Sequence, residues 1–373
     1  MPSFRRNLRQ FLALAFLLFT VIRSSSARYV CQLGSNGQPL SCASDNQPDL
    51  IQLPQALAST SASLMGHCLW DLMPFPFATS SVNLTIQVSS PTAFQKGCSD
   101  AWCTTTVNWR AVMHHPENDM YISSSLFYQQ GGHGWENALK AMLFRFLKTQ
   151  PPEVKALVLD VGANIGIHSL WFAALGHETH CFEPLKQNFA LLHCSVINNP
   201  YLQPNIHLNN FGLGLRNKTV CMSVNSDVNN MGGTRVMVSR VNQGQQVSEP
   251  SCSPELESSM RTLDWYWRSV LNKRPVFMMK VDVEGYEPYV VMGGAAMFRE
   301  SPPKVLMLEF TPNLIREAGG NPERFLQTLE GFGYALCGGN PVCERLTSAA
   351  RNETADYLLV YQSLMTDLSL TLQ

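Results

Sequence analysis

The apolar residues beyond about residue 105 follow two patterns that alternate along the chain. Short continuous apolar runs, as in residues 156–161 and 304–310, are typical of strands that are buried on both faces of a parallel sheet. Between such runs, apolar residues recur at helical spacing, as they do from Leu139 to Leu147. The alternation of strands and helices predicts an α/β fold.

The same patterns set approximate bounds for the elements. We expect strands over residues 107–113, 120–128, 156–161, 180–183, 206–211, 276–283, 304–310 and 357–361, with a further strand from Val220. Helices are expected from Glu136, from Ile167, and over residues 186–197, 286–292 and 322–331. Residues 28–104 are rich in Ser, Gln, Pro and Thr and show no clear period, which indicates a small disulfide-bonded module or a stalk.

A tight turn and a distant acid mark the strand over residues 156–161 as part of a nucleoside site. Asp160 lies near the end of this strand, and Gly162 and Gly166 follow in a turn where the backbone can approach a ligand closely. The free N–H groups of the next helix face this turn. Glu183 ends the second strand, 23 residues after Asp160, where its carboxylate can accept hydrogen bonds from two ribose hydroxyls.

The middle of the turn favours one nucleoside over another. A dinucleotide fingerprint has the order G-x-G-x-x-G, whereas this turn reads Gly162-Ala-Asn164-Ile-Gly166 and lacks a third glycine at the required position. That order favours a ligand without pyrophosphate. S-adenosylmethionine has an amino-acid tail where NAD has phosphates, and Asp160 can accept a hydrogen bond from its ammonium group. The alternative is an ordinary turn of an α/β protein.

Three motifs in this part of the chain are specific as a set. They read Asp160-Val-Gly-Ala-Asn-Ile-Gly166, Phe182-Glu-Pro184 and Lys280-Val-Asp282-Val-Glu284-Gly285. Together they resemble the FkbM family of S-adenosylmethionine-dependent O-methyltransferases, over about residues 105 to 362. The resemblance implies a Rossmann-like methyltransferase sheet with helices on both faces. It also implies methyl transfer to a hydroxyl, often of a sugar or a small natural product.

The resemblance and the turn together assign the cofactor site. S-adenosylmethionine is the expected cofactor, with Asp160 at its amino-acid tail and Glu183 at its ribose. Three further residues would shape the cofactor loop, namely Gly162, Asn164 and Gly166.

Methyl transfer to a hydroxyl needs a general base near the methyl group. Asp282, Glu284 and Glu309 are the acids at the ends of the fourth and fifth sheet strands, at the edge where open α/β sheets bind ligands. Asp282 and Glu284 are two residues apart and can act as a pair with separated pKa values. The alternative is structural, with Glu284 at a helix N-terminus and Asp282 orienting loop amides. For His168, a packing or cofactor-side role is favoured over a role as base.

The N-terminus is predicted to be a targeting signal. Three arginines precede an apolar run over residues 11–22, and small residues before residue 28 allow cleavage after Ala27. A retained membrane anchor is the alternative, and a plastid or mitochondrial transit peptide is a further one. The secretory lumen or secretion is favoured by three glycosylation sequons, at Asn83, Asn217 and Asn352. The predicted parts are a signal peptide or anchor over 1–27, a cysteine-containing segment over 28–104 and an FkbM-like domain over 105–365.

Eleven cysteines agree with an oxidising compartment. Two pairs are expected to form disulfides, Cys337 with Cys343 and Cys221 with Cys252. An odd total leaves at least one free thiol, for which Cys181 and Cys194 are the candidates. A zinc site is disfavoured because its candidate ligands lack the usual spacing, and no metal is predicted; those candidates are Cys98, Cys103, His114 and His115.

Charge narrows the class of partner. The formal net charge is -1, and no basic stripe follows residue 28, so a nucleic-acid partner is not expected. The sequence therefore predicts a luminal, glycosylated O-methyltransferase that acts on a hydroxyl of a glycan or small glycoside. Two alternatives stay open at this point. One is a catalytically inactive secreted binding protein that retains the nucleoside-binding fold, and the other is a nicotinamide-dependent oxidoreductase.

Overall fold

The computed structural model describes residues 29–33, 39–44, 79–91, 102–114, 119–128, 136–151, 153–224, 230–237, 252–337, 342–347 and 353–372. Residues 1–64 and residues 65–373 form two compact units. In the first unit, β1 (Tyr29–Leu33) pairs antiparallel with β2 (Pro39–Ser44). The predicted targeting signal lies outside the described residues. Within the described residues, none of the helices has the length and apolar character that a membrane crossing requires.

The second unit contains the remaining strands and all described helices. Its strands are β3 (Thr79–Pro91), β4 (Trp102–His114), β5 (Leu157–Val161), β6 (Glu178–Phe182), β7 (Ile206–Asn209), β8 (Gly212–Leu213), β9 (Lys218–Ser223), β10 (Arg235–Val236), β11 (Glu257–Arg261), β12 (Met278–Val281), β13 (Val305–Phe310), β14 (Tyr334–Leu336), β15 (Val342–Cys343), β16 (Ala355–Tyr361) and β17 (Thr371–Leu372). Its helices are α1 (Ile122–Tyr128), α2 (Asn137–Leu147), α3 (Ile167–Ala174), α4 (Lys186–Ile197), α5 (Leu263–Ser269), α6 (Glu287–Gly293), α7 (Ala295–Glu300), α8 (Pro312–Glu317), α9 (Pro322–Gly331) and α10 (Gln362–Asp367). A 3-10 turn spans Gln203–Asn205.

A seven-stranded sheet forms the centre of the second unit. Its order is β14-β16-β13-β12-β5-β6-β7, in which β13, β12, β5, β6 and β7 are parallel and β16 is antiparallel to both of its neighbours. From β5 the chain continues outward through β6 and β7, and then returns to β12 on the other side of β5. The sheet therefore has a topological switch point between β5 and β12, and the carboxyl ends of these two strands flank a crevice.

Both faces of the sheet are covered by helices. Leu157, Leu159 and Val161 point from β5 into a large apolar core that also contains side chains from α5, α6, α7 and α9. On the opposite face of β5, Asp160 accepts a hydrogen bond from Ser169 of α3. Every residue of β5 and of β12 is buried, as expected for central parallel strands. The predicted α/β class with a Rossmann-like sheet is confirmed.

Two further groups of strands pack beside this sheet. A small sheet has the order β10-β9-β11-β8, and β3 pairs with β4 along its whole length. The Cys221–Cys252 disulfide joins β9 to the residues before β11, and the Cys337–Cys343 disulfide closes a short loop, so both predicted pairs form. Among the described residues, Cys181 is a buried free cysteine, whereas Cys194 is disulfide-bonded. The prediction for Cys181 as a free thiol is therefore confirmed, and the alternative of Cys194 is wrong.

The predicted elements agree with the structure except at residues 120–128. The expected strand is instead α1, a short helix. Asp119 explains the difference, because its carboxylate accepts hydrogen bonds from the backbone N–H and the hydroxyl of Ser123, at 3.0 and 2.7 Å. Such a side-chain cap satisfies a free donor at the start of a helix and favours helix over strand. Four short helices, α5, α7, α8 and α10, were not predicted. The proposed domain boundary at residue 104 stays a prediction.

Candidate functional site

A cavity of about 420 Å³ lies at the carboxyl edge of the central sheet, at the switch point. We call it the main cavity. Its wall combines the loops after β5, β6, β12 and β13 with side chains from the small sheet. The wall contains apolar side chains, among them Pro184, Leu213, Met222 and Met260, and polar ones, among them Glu136, His168, Glu183, Lys280, Asp282, Glu284 and Glu309.

The loop after β5 requires its glycines. Gly162 has a φ of 82° and Gly166 a φ of 87°, both in the left-handed region that favours glycine. A Cβ at Gly162 would collide with the backbone carbonyl oxygen of Asp282, so this loop lies directly against the loop after β12. Asn164 has a φ of 52°, which asparagine tolerates better than most residues. The predicted cofactor-loop residues thus form one tight turn on the cavity wall.

Glu183 fixes this turn from the next strand. Its carboxylate accepts hydrogen bonds from the backbone N–H of Asn164 at 2.7 Å and of Leu185 at 2.8 Å. The side chain is buried, and burial raises the pKa of Glu183 to about 7 despite these two amides. Each carboxylate oxygen has a second lone pair, so Glu183 can accept further hydrogen bonds from a ligand in the cavity.

Asp160 lies behind the cavity wall. It is fully buried, it does not belong to the described lining of the main cavity, and its carboxylate accepts a hydrogen bond of 2.6 Å from the Ser169 hydroxyl. The Lys280 ammonium lies 3.8 Å from Asp160 and donates a hydrogen bond of 2.8 Å to Asp282. Burial alone would lower the pKa of Lys280, but these two carboxylates raise it above its ordinary value. Lys280 therefore links Asp160 to the cavity.

Glu136 and His168 face each other on the cavity wall. Their side chains approach to 3.2 Å between Glu136 Oε2 and His168 Nε2. Burial lowers the pKa of His168 below its ordinary value although Glu136 opposes the shift, so the imidazole is predominantly neutral near pH 7. Sequence reasoning identified Glu136 only as the start of a helix, and no local motif indicated its contact with His168.

Three acids converge on the wall of the main cavity, and we call them the acid trio: Asp282, Glu284 and Glu309. Ligand atoms from all three lie within 4.8 Å of one another. Burial, together with Asp282, raises the pKa of Glu284 to about 7. Burial and the charges of Asp282 and Glu284 raise the pKa of Glu309 to about 10. The predicted catalytic acids are thus brought together by the ends of β12 and β13.

The members of the acid trio are chemically distinct. Asp282 is held by Lys280, and Glu309 is protonated near neutral pH because of its raised pKa. Glu284 changes its protonation near pH 7 and has a φ of 56°, a left-handed conformation that is uncommon for glutamate. A carboxylate that titrates near pH 7 is suited to accept a proton from a hydroxyl, which makes Glu284 a candidate for that role beside Asp282.

Within the part of the chain that the structure describes, two groups of side chains have a spacing that would suit a cation. One is the acid trio, and the other consists of Glu178, His180 and His207 at the far end of β6 and β7. In the second group, Arg274 forms two hydrogen bonds with the Glu178 carboxylate, at 2.9 and 2.7 Å, which balance its charge. The absence of a metal stays a prediction. Of the disfavoured zinc ligands, Cys98 and His115 lie outside the described residues, and His114 forms a hydrogen bond of 2.8 Å with Asn188.

Comparisons with known proteins agree with this geometry. Residues 160–336 match the family described as methyltransferase FkbM domain. This match contains the glycine turn, Glu183 and the acid trio, and it confirms the resemblance. No match to a curated protein was found. Among solved structures, a precorrin-6y C5,15-methyltransferase from Geobacter metallireducens GS-15 is similar, with 13% identity over 60% of this chain and 86% of that chain. Its TM-score of 0.29 is too low to support an argument from shared structure.

Proposed function

We propose that this chain, which carries an FkbM methyltransferase domain over residues 160–336, is an S-adenosylmethionine-dependent O-methyltransferase. The acceptor would be a hydroxyl of a glycan or small glycoside in the secretory lumen. One observation carries the proposal. A buried carboxylate, Glu183, accepts hydrogen bonds from the Asn164 amide of the glycine turn and from the Leu185 amide, and the acid trio lines the same cavity. This combination supports a nucleoside ligand that faces a proton acceptor.

The cofactor fits the residues of the main cavity. Glu183 would accept hydrogen bonds from the ribose hydroxyls, and the apolar wall at Leu213, Met222 and Met260 would contact the adenine. Gly162 lets the turn lie against the loop after β12, because a Cβ at this position would collide with the carbonyl oxygen of Asp282. Glu136 is placed to accept a hydrogen bond from the ammonium group of the amino-acid tail. Asp160, predicted to meet that tail directly, would on this geometry act as a positioning residue through Lys280 and Ser169.

The acid trio would handle the proton. S-adenosylmethionine, when bound, supplies an electrophilic methyl group for an in-line displacement by the acceptor oxygen. Glu284 would take the proton of the acceptor hydroxyl as the new O–C bond forms. Lys280 would keep Asp282 in place, and protonated Glu309 would donate a hydrogen bond within the trio. The surrounding apolar residues would exclude water from the reacting atoms.

The compartment is supported by covalent features of the chain. Both predicted disulfides form, and Asn217 of the Asn217-Lys-Thr219 sequon is exposed. Disulfides persist mainly in oxidising compartments, so these features agree with a luminal or secreted protein. The acceptor class comes from the resemblance to the FkbM family and from this compartment.

Calorimetric titration separates the candidate functions. The purified protein is titrated with S-adenosylhomocysteine and, in a second experiment, with NAD. Binding of the thioether alone is expected, because the turn lacks the third glycine of a dinucleotide site. Binding of NAD alone would show that the proposal is wrong.

A labelling experiment then tests whether the protein transfers the methyl group. The protein is incubated with radiolabelled S-adenosylmethionine and a panel of p-nitrophenyl glycosides, lipids and proteins. Label is expected on a glycoside oxygen. Tight thioether binding without any labelled acceptor would favour the inactive binding protein, although the intact acid trio argues against that alternative.

A further inference from the structure

A second cavity of about 340 Å³ lies next to the main cavity, and we call it the side cavity. It is formed by β9, β10 and the start of the loop after β12, together with the end of α8. Its lining consists of Ser223, Arg235, Val236, Met237, Glu284, Tyr286, Leu314, Glu317 and Ala318. Ligand pockets usually have volumes of roughly 300 to 1,000 Å³, so the side cavity suits one small ligand.

The two cavities share a wall. Val236, Glu284, Tyr286 and Leu314 line both of them. The glycine turn and Glu183 line only the main cavity, and Ala318 lines only the side cavity. A molecule in the side cavity would therefore meet the contents of the main cavity at Glu284.

The position of the side cavity suits the geometry of methyl transfer. The acceptor oxygen must approach the methyl carbon from the side opposite to the sulfur, so donor and acceptor enter from different directions. The main cavity contains the features that suit the donor. The side cavity offers a separate place for the acceptor, and Glu284 lies on its wall.

The lining of the side cavity combines apolar side chains with three charged ones, those of Arg235, Glu284 and Glu317. Tyr286 and Leu314 present apolar surface, and the Tyr286 ring packs against Tyr289 with ring centroids 4.5 Å apart. On the rim, Arg235 donates a hydrogen bond of 2.8 Å to Glu317. Both rim side chains are partly exposed, at 36% and 54%, so they can exchange this contact for hydrogen bonds to a ligand.

We propose that the side cavity binds the acceptor, and that the acceptor presents a single sugar ring whose reactive hydroxyl reaches the main cavity beside Glu284. A sugar ring has an apolar face for Tyr286 and Leu314 and hydroxyl groups for Arg235 and Glu317. The arginine donates and the carboxylate accepts, which suits neighbouring hydroxyls that do both. Residue 235 would thus determine acceptor specificity. This inference rests on the proposed methyl transfer.

Filling the side cavity tests the inference. Ala318→Trp places an indole in the side cavity, whereas Asn313→Trp adds the same group on the exposed surface of the same helix, α8. For a labelled p-nitrophenyl glycoside, Ala318→Trp is expected to lower kcat/KM at least tenfold, and the control is expected to match the wild type within twofold. The dissociation constant for S-adenosylhomocysteine should stay within twofold in both variants.

A milder change tests the contact on the rim. Arg235→Gln removes the charge but retains a donor, and we expect KM for the glycoside to rise about tenfold while kcat changes less than twofold, because a hydrogen bond to a charged group is lost. Glycoside binding is also measured directly by calorimetry with S-adenosylhomocysteine present, which needs no turnover. This binding should disappear in Ala318→Trp.

Unchanged glycoside binding or turnover in Ala318→Trp would overturn the inference. The same holds if the wild type binds no glycoside, or if label appears only on acceptors without a sugar. Loss of S-adenosylhomocysteine binding in Ala318→Trp, with normal binding in Asn313→Trp, would assign the side cavity to the donor and would also overturn it. Failure of the wild type to bind S-adenosylhomocysteine would instead contradict the proposed function itself.

Discussion

Two parts of the main cavity balance their charges in different ways. We call Glu183 with the glycine turn the donor half, and the acid trio with Lys280 the acid half. In the donor half, the Glu183 carboxylate accepts hydrogen bonds from two backbone amides, and one of these holds the glycine turn in place. In the acid half, three carboxylates lie within 4.8 Å of one another beside a single ammonium group, that of Lys280. The first half is organised before a ligand arrives. The second keeps its charge low by holding protons, which burial and mutual repulsion stabilise.

The difference shows which half is governed by repulsion between neighbouring acids and which by hydrogen bonds to the backbone. The pKa of Glu183 is also raised to about 7, but mainly by burial and not by a cluster of acids. Like charges in a buried site cannot all ionise, so the pKa values of such a group separate. Glu309 at about 10 and Glu284 at about 7 show this separation. Removing a carboxylate from the donor half should therefore weaken binding, whereas removing one from the acid half should affect chemistry.

The largest effect is expected at Glu284. In Glu284→Gln, kcat should fall by roughly 10² to 10⁴, because a general base typically contributes that much. The affinity for S-adenosylhomocysteine should change little, since Glu284 lies in the acid half. Turnover of radiolabelled donor and calorimetry check the two parts. Glu323→Gln, a change on the exposed start of α9, serves as the matched control.

Asp282→Asn distinguishes the members of the acid trio. If Asp282 only positions Lys280, its loss should reduce kcat less than the loss of Glu284 does. If wild type and Glu284→Gln have equal turnover, Glu284 is not the base, and Asp282 becomes the candidate.

A somewhat smaller effect is expected in the donor half. Glu183→Ala should weaken S-adenosylhomocysteine binding by about 2 to 4 kcal/mol, through the loss of charge-assisted hydrogen bonds to the ribose. Titration calorimetry measures the loss, and Glu153→Ala, at an exposed residue before β5, is the control. Thermal unfolding is followed in parallel, because the amides of Asn164 and Leu185 lose their acceptor. If the folded Glu183→Ala protein binds S-adenosylhomocysteine with unchanged affinity, Glu183 does not bind the ribose.

The next smaller effect is expected when the pH of the turnover assay is changed. Glu284 acts as a base only when deprotonated, and its pKa is raised to about 7, so kcat at saturating donor and acceptor should rise with pH and level off above about 7. Below that point the rate should fall about tenfold per pH unit. The Glu284→Gln variant should lose this dependence. A midpoint near the ordinary value of a glutamate would contradict the crowding of the acid trio.

The smallest effect on activity is expected outside both halves. Asn217→Gln removes the exposed sequon between β8 and β9, and turnover should stay within twofold of the wild type. The protein produced in a secretory host should lose one step of apparent mass on a denaturing gel, and enzymatic removal of N-glycans should abolish that difference. Identical mobility of the two proteins would argue against glycosylation at this residue.

The residues that local motifs predicted lie together because parallel strands end at one edge of the sheet. Gly162 and Glu183, and the acid trio, follow strands whose apolar runs are visible in the sequence. Glu136 is different, since its place beside His168 depends on how α2 packs. Arg235 depends on the small sheet, whose strands are too short for a period. The α1 helix was mistaken for a strand because its bound is set by one capping side chain, Asp119.

The contact between Gly162 and the carbonyl oxygen of Asp282 has a consequence for redesign. The loops after β5 and β12 meet with no space for a single carbon atom between them, so neither can be lengthened or exchanged alone. A graft of a new acceptor loop after β12 would have to bring its partner turn with it. The two motifs thus form one structural unit, although 118 residues separate Gly162 from Lys280 in the chain.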